Sequence, residues 1–110
     1  MISYLGCPYL HTHSHIQDER YDKVTAVAAR LMAEGQFIYS PITSMHHLSK
    51  THIDILPNGC DFWLQHDLAI LARCDKLIVL LLEGWEHSNG LRREIEFAAE
   101  NNIPVEYMEA

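Results

Sequence analysis

Six consecutive apolar residues, Leu77 to Leu82, stand between the charges of Asp75 and Lys76 and the turn pair Glu83-Gly84. A run this short cannot span a bilayer, and its lack of alternation suits a parallel strand covered on both faces. A polar turn (Glu83 to Ser88) follows, then a helix from Asn89 that bears Leu91, Ile95 and Ala98. The turn therefore leaves the carboxyl end of a central strand. In open α/β sheets ligands bind at that end, because helix N-termini converge there on a crevice with unpaired amides.

On that helix, with Leu91 at zero, Glu94 falls at about 300° and Ala98 near 340°, while Arg92, Glu96 and Arg93 fall between about 100° and 200°. Glu94 thus borders the apolar stripe, and the other three face water. A carboxylate there is expected to be shielded from solvent and held ionised by the helix dipole, which makes it a candidate nucleophile. The plainer reading is an early-helix glutamate that only stabilises the helix.

The preceding chain alternates strands and helices. Ile2 to Leu5 reads as a first strand opening into the loop Gly6-Cys7-Pro8-Tyr9, with Tyr9 an aromatic covering the sheet edge. A helix runs from Asp18-Glu19 to about Glu34, stopped by Gly35, with Tyr21, Val24, Ala28, Leu31 and Met32 at helical spacing. Phe37 to Ser40 is the second strand, closed by Pro41. Pro41 to Gly59 is the least regular stretch, a long connection carrying Ser44, His46, His47 and His52, part of it a short helix and the whole a lid, a binding loop or simply surface. Asp61 caps a third amphipathic helix whose buried side is Leu64, Leu68, Leu71 and Ala72, with Trp63 and Asp67 on another face. Taken alone, Asp67 reads as a solvated mid-helix acid. Ile103 to Met108 is a last strand, with Pro104 near its start as an edge strand allows.

These elements predict a single α/β domain over residues 1–110, Rossmann-like or flavodoxin-like. About four mainly parallel strands would be flanked by helices, with the switch point between the first and third strands. The formal charge of −7 argues against a surface for polymeric nucleic acid, which takes its affinity from Lys and Arg on phosphates. A single nucleotide is still compatible, since backbone amides at a helix N-terminus hold one phosphate. No signal segment or membrane span is visible, so a cytoplasmic protein is expected. The three cysteines, Cys7, Cys60 and Cys74, are widely spaced and expected to be reduced. His11, His13 and His15 would share a face on a strand. No neighbouring carboxylate or Cys pair completes a site there, and no metal or cofactor is expected.

The run Leu80 to Trp85, then Ser88-Asn89-Gly90, Glu94-Ile95 and Ala98, resembles the nucleoside 2-deoxyribosyltransferase-like superfamily. Within it the chain looks most like a small branch with a Gly-Trp loop before Ser-x-Gly-x-x-x-Glu. The resemblance implies cleavage or transfer at the N-glycosidic bond of a deoxyribonucleoside or its monophosphate, with Glu94 matching the glutamate that attacks the anomeric carbon. It matches Asp67 to an aspartate that faces the nucleobase, and Gly6, Pro8 and Tyr9 to a loop lining the sugar pocket. Gly84, Ser88, Asn89 and Gly90 would complete the substrate site. The resemblance also implies a homo-oligomer, with Trp63, Trp85 and Tyr107 available to an interface. Two further classes stay open from the sequence, a non-catalytic nucleotide-binding or sensing module and a structural protein.

Overall fold

The computed structural model describes residues 1–56 and 59–110, with Cys60 described through its backbone only. Pro57 and Asn58 of the long connection lie outside the described residues. The elements run β1 (Ile2–Gly6), α1 (Ser14–Ala33), β2 (Phe37–Tyr39), α2 (Pro41–Thr51), α3 (Cys60–Leu71), β3 (Lys76–Leu80), a 3-10 turn (Trp85–His87), α4 (Asn89–Glu100) and β4 (Val105–Met108). The strands form one sheet in the order β2-β1-β3-β4. Every pairing is parallel, with Tyr4 opposite Leu77, Leu5 opposite Ile78 and Leu80 opposite Met108. The switch point is therefore between β1 and β3, as the sequence predicts. A radius of gyration of 13.2 Å is that of one domain, by the usual ~13 Å for about 100 residues.

Burial on both faces explains the unbroken apolar run. Leu77 and Val79 point with Tyr4 into a core shared with Leu71, Leu91 and Ala98 of α3 and α4. Ile78 and Leu80 point with Leu5 to the other side, against Val24, Val27, Ala28 and Leu31 of α1 and Ile42 and Met45 of α2. Side chains buried this completely contribute on the order of 1.5–3 kcal/mol each. The strand is shorter than the run. Leu81 and Leu82 have left β3, although the Leu81 amide still donates to the Met108 carbonyl at 2.8 Å. Asp75 opens β3, its carboxylate accepting from the Ile2 amide at 2.7 Å.

Other boundaries also differ from the sequence reading: β2 ends at Tyr39 and β4 starts at Val105. The first helix begins at Ser14, four residues early: Ser14 and His15 are exposed and Ile16 is the one apolar residue of this first turn, too little to show a helical pattern. The short helix expected within Pro41 to Gly59 runs from Pro41 to Thr51: Ser40 caps it by accepting from the Thr43 amide at 3.3 Å, and Pro41 takes the first-turn position where its missing N–H costs nothing. The residue capping α3 is Gly59, and Asp61 lies in the first turn. Among the described residues no helix is long and apolar enough to cross a membrane.

Candidate active site

A cleft of about 610 Å³ opens at the carboxyl ends of β1 and β3. The loop after β1 supplies Cys7 and Tyr9, α2 supplies Ile42, Met45 and Lys50, and α3 supplies Trp63, Leu64 and Asp67. The stretch His87 to Leu91, with Arg93 and Glu94, closes the remaining side. Arg20 of α1 ties the two strand loops together. Its Nη1 donates to the Tyr9 and Leu10 carbonyls (3.3 and 3.1 Å) and its Nη2 to the Glu83 carbonyl (3.0 Å).

Glu94 lies on the second turn of α4, and only 6% of it is exposed. It reaches back over β1, where the Tyr4 hydroxyl donates to its Oε2. Gly6 lies beneath that approach: a Cβ there would stand 3.3 Å from Leu91 Cδ1 and 3.4 Å from Glu94 Oε1, so the Leu91 side chain would have to give by a few tenths of an ångström. Burial pushes the Glu94 carboxyl up to about 8 and the nearby Asp67 charge adds to this, against the opposing pull of the Tyr4 hydrogen bond. The expectation that the helix dipole holds Glu94 ionised is therefore corrected. Desolvation acts on the whole charge, whereas the dipole is felt mainly in the first turn. Tyr4 itself is pushed far above the phenol range by burial and by Glu94, and stays a donor.

Asp67 is not the solvated acid its position suggests. Its side chain is 13% exposed and lines the cleft, and burial raises its carboxyl to about 6 against the influence of His66, 3.7 Å away. Two carboxyl groups with raised pKa values thus share one cleft. Between about pH 6 and 8 the pair holds a single proton. The Cys7 thiol, pushed up to about 12 by burial, is inert beside them.

Of the residues singled out from the sequence, Glu94, Asp67, Tyr9, Ser88, Asn89 and Gly90 meet in this cleft. Gly6 lies behind it, under Glu94. Pro8 is fully buried and does not line the cleft. Gly84 is also absent from the lining, and its part is structural: at φ +88 it turns the loop into the 3-10 segment, and a Cβ there would sit 2.8 Å from Arg20 Nη2. Ser88 caps α4, its hydroxyl accepting from the Leu91 amide at 3.3 Å, and Arg92 donates to the Asn89 side chain. His11, His13 and His15 occupy no strand. Their rings lie against one another at 5.4 and 5.6 Å on the exposed entry to α1. Among the described residues no three His, Cys, Asp or Glu side chains gather as metal ligands do.

Sequence reasoning missed Tyr4, Arg20 and His46. Strand alternation could have placed Tyr4 opposite Leu5, on the other face of the sheet, but only the packing of α4 brings Glu94 to it.

Fold and cleft together define a small flavodoxin-like α/β domain whose switch-point crevice holds one buried and one partly buried carboxyl group. Over residues 1–110 the sequence matches the family described as domain of unknown function (DUF1937), and the chain belongs to that family. No curated protein matches it.

Proposed function

We propose that the protein breaks the N-glycosidic bond of a nucleoside or nucleotide, with Glu94 as nucleophile and Asp67 as the acid that protonates the departing base. The observation that carries this reading is the pair itself, a buried glutamate held by Tyr4 and a second raised carboxyl in one cleft. It agrees with the sequence resemblance to nucleoside 2-deoxyribosyltransferase-like proteins.

In the first step a Glu94 oxygen bonds to the anomeric carbon as the carbon–nitrogen bond breaks. The electron pair leaves with the base nitrogen, which takes the Asp67 proton. Developing positive charge on the sugar faces a carboxylate in a site shielded from water, where electrostatic stabilisation is strongest. In the second step water attacks the anomeric carbon of the glycosyl ester and gives hydrolysis, or a second base attacks and gives transfer. The ester bond breaks with its electron pair returning to the Glu94 carboxylate, and the Asp67 carboxylate takes the proton that the water or base loses. Near neutral pH the pair's single proton rests mainly on Glu94, whose carboxyl is raised further, so the reactive arrangement, Glu94 ionised and Asp67 protonated, is the minor form of the singly protonated pair. The α4 N-terminus (Asn89, Gly90) with Arg93 and Lys50 at the rim suits a sugar hydroxyl or a 5′-phosphate. The chemistry calls on no cofactor and fits a cytoplasmic nucleotide pool. A homo-oligomer belongs to the same proposal, since Leu10, Ile53 and Ile55, near the cleft mouth, are 60 to 71% exposed.

The test is incubation with pooled nucleosides, deoxynucleotides and NAD, followed by mass spectrometry for free base. Release of a base supports the reading. Binding of a nucleotide without release would instead leave a sensing module, and binding of none would remove both.

A further inference from the structure

His46, on α2, is a buried histidine, 8% exposed, that the glycosidic reading does not use. It lies within a ring of polar groups. Its Nδ1 is 2.6 Å from the Tyr9 hydroxyl and its Nε2 is 3.2 Å from Asp18 Oδ1. Tyr21 stacks on it, with ring centroids 4.2 Å apart. Asp18 also accepts from Lys50 at 2.6 Å, and Lys50 holds its carboxyl below the usual carboxylate range.

The chemistry fixes the tautomer. An ionised carboxylate only accepts, so His46 Nε2 carries hydrogen toward Asp18; in the neutral ring Nδ1 is then an acceptor, and the Tyr9 hydroxyl must donate to it. With its one proton committed, the Tyr9 oxygen has only lone pairs to offer the cleft it lines. The neighbouring Ser49 hydroxyl also donates to the His46 carbonyl at 2.8 Å. The cleft that Tyr9 lines also carries the apolar side chains Ile42, Met45, Ile53, Trp63 and Leu64, with Ser49 and Lys50 near the Tyr9 hydroxyl. That slot suits a flat heteroaromatic ring, and the polar groups at the α4 end suit the sugar.

Building on the N-glycosidic reading, we propose that the Asp18–His46–Tyr9 relay is a specificity device which makes Tyr9 a hydrogen-bond acceptor and so selects bases with an exocyclic amine over their keto counterparts. Tyr9 meets the ligand, and His46 and Asp18 act through it as positioning residues. When His46 is protonated both ring nitrogens donate, so Tyr9 must accept from Nδ1 and turns its own proton toward the cleft. The preference then fades. The groups facing His46 are Tyr9 from the β1 loop, Asp18, Tyr21 and Asp22 from α1, and Lys50 from its own helix. Burial, with Lys50, outweighs the two acids and holds His46 below the usual imidazole range, so the acceptor state is the one present at neutral pH.

The experiment measures binding by calorimetry in a Glu94→Gln background, so that no turnover intervenes. Its ligands are deoxyadenosine against deoxyinosine and deoxycytidine against deoxyuridine. At about pH 8 each amine member should bind about tenfold or more tighter than its keto partner, because a site built to pair one group rejects the analogue that cannot pair. The ratio should fall toward one at the acid end of the range in which the protein stays folded, as His46 charges. Adding Tyr9→Phe should bring the ratio near one at both pH values, which separates the relay from Asp67 titrating in the same cleft. Asp18→Asn, at an exposed position, should lower the ratio without unfolding the protein. In the unliganded protein, nitrogen NMR of the histidines should show neutral His46 as the Nε2–H tautomer. An Nδ1–H tautomer, a ratio unchanged by Tyr9→Phe, or binding of none of the four ligands would overturn the proposal. Amine preference without base release would leave the relay standing and remove the catalytic reading; base release without the preference would do the reverse.

Discussion

Replacing Glu94 by Gln keeps the side chain's shape and an oxygen for the Tyr4 hydroxyl, and removes only the titration. In the folded protein burial lifts the Glu94 carboxyl from its ordinary 4.5 to about 8. Between those values the native state holds a proton that the unfolded chain releases, so wild-type stability must fall as pH rises across the window. At ~1.4 kcal/mol per pH unit, the loss is about 3 kcal/mol at pH 7 and about 4 to 5 kcal/mol above pH 8. Glutamine escapes it. The two proteins should therefore melt together near pH 4 and diverge as pH rises, with Glu94→Gln ahead by about 10 °C or more at neutral pH, since about 1 kcal/mol moves the Tm of a small domain by roughly 4–8 °C. Thermal unfolding of both from acid to mildly alkaline pH is the assay. Parallel curves would refute the argument, because they would mean that Glu94 ionises as easily in the fold as in water. A variant less stable at every pH would point to the structural reading of Glu94.

The shared proton predicts a bell-shaped profile of kcat/KM for base release, with limbs near pH 6 and 8 set by the Asp67 and Glu94 carboxyls; a flat profile across that range would contradict the assignment. Tyr4→Phe removes the donor that favours ionised Glu94, and should move the upper limb to higher pH by about one unit, in keeping with the ~1.5–3 kcal/mol of a hydrogen bond to a charged group. Gly84→Ala forces a side chain onto a φ of +88 and against Arg20, and should cost about 1–2 kcal/mol in denaturant titration while weakening ligand binding through the loosened loops. Ser88→Ala removes the α4 cap and should cost about 1 kcal/mol by the same titration.

The sheet was legible because its signals are local. A doubly buried strand cannot alternate, so Leu77 to Leu82 announces β3; the switch point then follows from the order of strands and helices. Residues of α4 were legible for the same reason, since helical spacing alone sets Glu94 beside Leu91 and Ala98. What escaped depends on contacts between elements distant in sequence. Nothing near Tyr4 signals that its hydroxyl meets Glu94, and nothing near Asp67 tells that α3 turns it into the cleft. The ionisation of Glu94 was misread because burial is a property of the assembled core, whereas the helix dipole is visible in one helix. The start of α2 is legible in Ser40-Pro41, a cap followed by a first-turn proline, although the same proline also reads as the end of a strand. His46 looked like one of several loop histidines until α1 and α2 packed together and set it between Asp18 and Tyr9.

The measurement closest to the central claim is the site of the sugar during turnover. Wild-type protein mixed with whichever nucleoside or nucleotide it cleaves, quenched in acid and digested, should yield a peptide containing Glu94 heavier by one glycosyl group. Glu94→Gln should give no such peptide and lose base release by more than about four powers of ten. The account is contradicted if the sugar is found on another residue, or if Glu94→Gln releases base as the wild type does.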